Sequence, residues 1–192
     1  MDKIKIKQMR KKQLFVTNVL LLCLLSIYFT VISNFPVTMA EMFFVLGAWL
    51  FFQATVGFFK RNPTRSIIPI FEKVAIYEKE KMGDEWRKQR KTSVIVQFLL
   101  GGFMLFQFYW THGSTDPMFE KDIMPALIVI FLVVIAMVNI QLLLHIKKVD
   151  HAKSAEDLAG YTKNVNVIGI ATGVTIAFVM VVFIISYVMM TS

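Results

Sequence analysis

Five runs of about 20 predominantly apolar residues constrain this chain more than any other feature. They cover roughly residues 14–33, 38–59, 93–110, 123–146 and 165–190. A helix rises 1.5 Å per residue, so about 20 residues cross a hydrocarbon core roughly 30 Å thick. Lipid offers no partner to a bare backbone N–H or C=O, so each run must satisfy its own backbone as a helix. A membrane β-barrel would instead show alternating segments of about ten residues. These runs are twice that long and do not alternate. The predicted fold is an all-α, polytopic membrane helical bundle with about five transmembrane helices. It forms a single integral membrane domain over residues 1–192.

The first run starts after a basic segment, and Thr38-Met39-Ala40 resembles a signal-peptide cleavage site. A signal core has about 7–15 apolar residues, however, and this one is longer. Cleavage after Ala40 would also cut the edge of the second run. The first run is therefore read as a span.

Charge sets the expected orientation. Segments 1–13, 60–92 and 147–164 hold 6, 10 and 4 Lys or Arg, which is 20 of the chain's 21. Lys121 is the exception. Basic residues concentrate in cytoplasmic loops, which predicts an N-in, C-out protein of the cell membrane. The net charge of +8 is then explained by orientation and by anionic lipid head groups at the cytoplasmic face, without nucleic acid. Tyr109 and Trp110 close the third run, where amphipathic rings favour the head-group layer. Cys23 is the chain's one cysteine, so no internal disulfide framework exists.

Segment 60–92 is the largest polar element. After Pro69, Phe71, Val74, Ala75, Met82 and Trp86 fall on one side of a helical projection, and Glu72, Lys79, Glu80 and Arg87 on the other. This predicts an amphipathic cytoplasmic helix between spans 2 and 3. Glu78, Lys81 and Glu85 interrupt its apolar side. The segment reads as a solvated connector, a lipid- or partner-binding surface, or a packed helix.

Inside the spans, Asn166, Gly169, Gly173 and Ala177 form a stripe of small residues on the fifth run. Such a stripe lets helices approach closely, within the chain or between copies. Glu41 lies about one turn into the second span, roughly 5 Å deep. It is a candidate for an interfacial role or for ion handling. Asn18, Gln53, Gln97, Gln107, Asn139 and Gln141 are expected to serve interhelical hydrogen bonds. His145 shares a helix face with Gln141, but no histidine pair has metal-ligand spacing. No HExxH, GxSxG or phosphate-binding loop is present, and no catalytic, cofactor-binding or metal-binding residue is assigned.

The first two spans would form one hairpin and the next two another, each starting inside. Asn18 follows Lys12, and Gln97 follows Lys91, at the same interval; Pro36 and Pro125 open the descending helices. A parallel repeat is one reading of this pattern. Three functions remain open: a non-enzymatic accessory or interaction subunit with a membrane-protein partner or a second copy, a small transporter or channel component, and a lipid-acting membrane enzyme. The first is expected, because the polar chemistry lies almost wholly outside the spans.

Overall fold

The computed structural model describes residues 2–60, 63–113, 124–171 and 173. Helices account for nearly all of them: α1 (Lys3–Asn34), α2 (Met39–Phe59), α3 (Pro69–Met82), α4 (Asp84–Thr111) and α5 (Met124–His151). A short 3₁₀ turn (Glu156–Leu158) and α6 (161–171) follow. Among the described residues, four helices are long and apolar enough to cross a membrane: α1, α2, α4 and the Ile128–His151 part of α5. The fifth expected run begins in α6, and most of it lies outside the described residues.

Three helices outrun the expected spans, α5 by the five residues from Lys147 to His151. The 32 residues of α1 extend about 48 Å, well beyond the hydrocarbon thickness. The basic N-terminal segment is thus the first part of a continuous helix. Likewise α4 starts at Asp84, nine residues before the expected third span.

The breaks have local causes. Phe35 N–H closes α1 on the Val31 carbonyl at 2.9 Å, and Pro36 cannot continue the helix. Pro69 opens α3 at a first-turn position, where its missing N–H costs nothing. Gly83 separates α3 from α4 with φ 58° and ψ −123°, a conformation that L side chains resist. The single amphipathic helix expected after Pro69 is therefore two helices, and Trp86 belongs to the second.

The apolar helices associate as two antiparallel pairs. In the first, α2 lies along α4: Gly47 meets Leu105, Phe51 meets Phe98, and Gly57 meets Val94. Ala40, Gly47 and Ala54, seven residues apart, are the buried residues of α2. A Cβ on Gly101 would stand 2.9 Å from the Phe51 nitrogen and 3.2 Å from the Gly47 oxygen. The two backbones therefore touch, and glycine is what permits it.

The second pair is α1 with α5, joined by Asn18 to Asn139 and by Tyr28 and Phe29 to Phe131 at ring separations of 5.0 and 5.4 Å. Among the described residues, neither α1 and α2 nor α4 and α5 pack along one another. The hairpins expected from chain order are thus crossed: the first helix of each packs on the second helix of the other.

The main buried apolar cluster lies at one end of the molecule. It contains Met9, Val74, Tyr77, Met82, Trp86, Val149 and Leu158, with Ile6, Ile70, Ala75, Ala152 and Tyr161 against it. Each of these residues comes from one of the three basic segments. The apolar helices show the opposite distribution, with Leu24 64% and Phe58 78% exposed. Exposed apolar helices beside a buried loop-side core match a protein whose solvent is lipid along most of its length.

Candidate functional site

Arg10 organises the polar chemistry of the loop end. About two turns into α1, it enters the core with its side chain 5% exposed. Nη1 donates to Glu78 Oε1 at 2.7 Å and to Gln13 Oε1 at 2.9 Å. Nη2 donates to Asp150 Oδ1 at 2.8 Å, and Nε reaches both Asp150 oxygens at 3.3 Å. The guanidinium also stands over the Tyr77 ring, 5.3 Å from its centroid. One planar fork thus ties α1 to α3 and α5, a geometry that a lysine cannot reproduce.

The network continues through Glu78. Its Oε1 also meets His145 Nε2 at 3.2 Å, and His145 Nδ1 meets the Tyr161 hydroxyl at 2.8 Å. An imidazole protonated on Nε2 satisfies both contacts, donating to Glu78 and accepting from Tyr161. Burial pushes the Glu78 carboxyl up, but the contacts with His145 and then Arg10 outweigh it, so its pKa lies below the ordinary carboxylate value. Tyr77 Oη is buried with no hydrogen-bond partner among the described residues. Burial, followed by the charge of Asp150, raises this phenol's pKa.

A second tie fixes α6. Glu85 Oε2 accepts the Thr162 N–H at 3.0 Å, Thr162 Oγ1 donates to the Glu85 carbonyl at 3.1 Å, and Lys88 Nζ donates to Glu85 Oε1 at 2.8 Å. Beside these ties a groove of about 760 Å³ opens between α1, α4, α5 and α6. His145, Lys147, Lys148, His151 and Tyr161 stand toward its loop end; Val138, Leu142, Val165 and Ile168 line it toward the spans. His145 and Gln141, expected to share a helix face, both border it.

Within the apolar helices the amides divide into two groups. Asn18 Nδ2 donates to Asn139 Oδ1 and Asn139 Nδ2 to Asn18 Oδ1, each at 2.8 Å. That pair is an interhelical contact of the expected kind. Gln53 and Gln97 have no side-chain hydrogen bond among the described residues. They line a depression of about 260 Å³ between α2 and α4, with Ser93, Lys60 and Arg90.

Other candidates from the sequence find local settings. Glu41 is exposed at the start of α2 and completes a capping box: its Oε2 accepts the Thr38 N–H at 2.9 Å, and its own N–H donates to Thr38 Oγ1 at 3.2 Å. That arrangement is a helix N-terminus device. A Cβ at Gly169 or Gly173 would meet nothing within 4 Å among the described residues. Asn166 is partly buried, and Ala177 lies outside the described residues. A close backbone approach through glycine is present at Gly47 and Gly101.

The expected amphipathic face of α3 has an intramolecular partner, since Val74, Tyr77 and Met82 are buried in the chain's own core. Sequence reading missed Arg10, Asp150 and Tyr161 as site residues. The available signal was Glu78, an acid interrupting the apolar side of α3. Among the described residues, no three of His, Cys, Asp and Glu gather as a metal centre requires. The chain matches no protein-family model, and no curated protein or solved structure is significantly similar to it.

Proposed function

We propose that the chain is a multi-pass cell-membrane protein that crosses the bilayer five times, N-in and C-out, and acts as a non-enzymatic interaction subunit of a membrane complex. Support for the orientation comes from the meeting of all three basic segments at one end of the molecule, where Arg10, Glu78 and Asp150 are in contact. The observation that carries the functional reading is the pair Gln53 and Gln97. Gln53 is exposed and Gln97 half-buried, neither has a side-chain hydrogen bond among the described residues, and both border one depression. A polar group facing hydrocarbon is costly until it finds a partner. A transmembrane helix with a hydrogen-bonding side chain, from another subunit or a second copy, supplies one.

Position-specific photo-cross-linking in intact membranes tests this reading. A photoreactive residue at Gln53 or Val56 is expected to give a discrete protein adduct, while one at exposed Leu24 gives lipid adducts. The adduct's mass separates a second copy from a different partner. Lipid adducts alone at all three positions would overturn the reading. The orientation has its own measurement: a reporter fused after Ser192 should be active outside the cell.

A further inference from the structure

We propose that the groove between α1, α4, α5 and α6 is a binding site for one anionic glycerophospholipid, with its phosphate at Lys147 and Lys148 and an acyl chain along Val138, Leu142 and Ile168. The order of groups along the groove carries the assignment. Its α5 wall runs from Val138 to His151, about 20 Å at the helical rise. Cationic and imidazole groups occupy one end of this wall, and aliphatic side chains the other. A lipid presents the same sequence of charged head and apolar tail. The volume of about 760 Å³ lies within the range of roughly 300–1,000 Å³ typical of small-molecule sites.

Charge at the rim is uncompensated. Lys147 and Lys148 are exposed, and neither has an ion-pair partner among the described residues. The neighbouring acids are occupied: Asp150 by Arg10, Glu78 by Arg10 and His145, and Glu85 by Lys88. Asp157 accepts the N–H groups of Lys153 and Ser154 at 2.7 and 3.3 Å. Lys148 is near enough to favour its charge, but not to pair with it. The two lysines also sit at the loop end of an apolar helix, where basic side chains reach lipid phosphates. The rim is held in place, since His145 is fixed by Glu78 and Tyr161. The apolar wall makes a free soluble anion a poor match.

The inference rests on the membrane reading above, with this end at a head-group layer. The test uses the full chain in phosphatidylcholine nanodiscs doped with phosphatidylglycerol that carries a photoreactive acyl chain. Saturable labelling is expected at Leu142 and Ile168, mapped by mass spectrometry. Each basic residue near an anionic surface contributes roughly a fivefold factor, so Lys147→Gln with Lys148→Gln should weaken labelling by roughly 30-fold. Leu142→Trp, which fills the apolar wall and leaves the lysines in place, should also block it. Lys11→Gln with Lys12→Gln, exposed at the same end, should change it little.

Labelling spread evenly over the apolar helices would overturn the proposal. So would an equal loss in the Lys11/Lys12 variant, which would mean general charge attraction. Displacement by inorganic phosphate would reassign the groove to a small anion. Should the double-lysine variant fail to fold, Leu142→Trp decides alone: undiminished labelling there refutes the site. Both nanodisc leaflets carry the probe, so a reversed topology leaves the labelling intact and appears only in the reporter after Ser192.

Discussion

The loop end and the α2–α4 pair are held together by opposite means. At the loop end, large side chains are buried: Met82, Val149 and Leu158 are almost fully enclosed, around a guanidinium that binds two carboxylates. Along α2–α4, by contrast, the buried positions are Ala40, Gly47, Ala54 and Gly101, and many large side chains, Phe52, Phe58 and Leu99 among them, are exposed. Water explains the first arrangement, because removing apolar surface from it drives packing. Lipid explains the second. Hydrocarbon chains are as apolar as leucine, so helices gain by close backbone contact through small residues instead. One chain thus contains two solvents' worth of packing rules, divided where its charged segments end.

The largest test removes Arg10. Its loss leaves the half-buried carboxylates of Glu78 and Asp150 without their guanidinium, and breaking a buried pair costs up to about 3–5 kcal/mol. Arg10→Met should lower the unfolding temperature of detergent-solubilised protein more than any other single change considered. Arg10→Lys should recover part of the loss, because an ammonium cannot make the two-carboxylate fork. An Arg10→Met protein with unaltered stability would mean that the loop end is not a cooperative core.

The glycine contact should be the next most sensitive. A Cβ at Gly101 collides with the Phe51 backbone nitrogen, and a backbone cannot rotate away. Gly101→Ala is expected to separate α2 from α4 and cost about 1–3 kcal/mol, the usual range for overpacking. Its neighbour is the control, because a Cβ on Gly102 meets nothing within 4 Å. Gly102→Ala should stay within about 0.5 kcal/mol of the parent. Equal effects of the two would remove the close-packed interface from the account.

A smaller effect should appear in acid. Glu78 has a folded pKa below its ordinary value of 4.5 because His145 and Arg10 outweigh burial. Its contribution is therefore complete above 4.5 and is lost as the pH falls through the lowered folded value. Unfolding temperatures followed from neutral pH down through this window should fall on the acid side. Glu78→Gln should flatten that limb. A Glu78→Gln protein with the same acid slope would assign the pH dependence to another carboxylate.

Much of this architecture can be read from residue order, for reasons of length and composition. Helices that must cross about 30 Å of hydrocarbon need long apolar runs, and four such helices are present among the described residues. The collection of basic residues into three segments also reflects a real neighbourhood, since those segments share a core. The partners within that neighbourhood were not legible. Arg10 stands in a run of basic residues, and nothing local distinguishes it from exposed Lys11 and Lys12. Its role depends on Glu78 and Asp150, 68 and 140 residues away. Helix pairing was hidden for a similar reason. Chain order suggests hairpins, whereas the contact between Gly47 and Gly101 depends on one missing side chain in each helix. The GxxxG at Gly169 and Gly173 satisfies the spacing rule but has no facing backbone among the described residues. The α2 stripe of Ala40, Gly47 and Ala54 follows a seven-residue spacing that the GxxxG template overlooks.

The amide pair Asn18–Asn139 brings polar chemistry into the lipid-solvated part of the molecule. It has two reciprocal hydrogen bonds at 2.8 Å, which invites a large expected energy. Each amide nitrogen also donates to the carbonyl one turn earlier in its own helix, Leu14 or Ile135, at 2.9 Å. Those local bonds survive when the helices part, so separation leaves neither amide wholly unsatisfied. Asn18→Leu should therefore cost only about 0.6 kcal/mol, and at most about 1.7, as for interhelical hydrogen bonds generally. Asn18→Leu combined with Asn139→Leu should cost less than the sum of the single changes, because no amide is then left facing hydrocarbon. Unfolding measurements on the four proteins of this cycle give the coupling directly. A coupling as large as the Arg10 effect would mean that polar contacts, rather than small-residue packing, hold the membrane helices together.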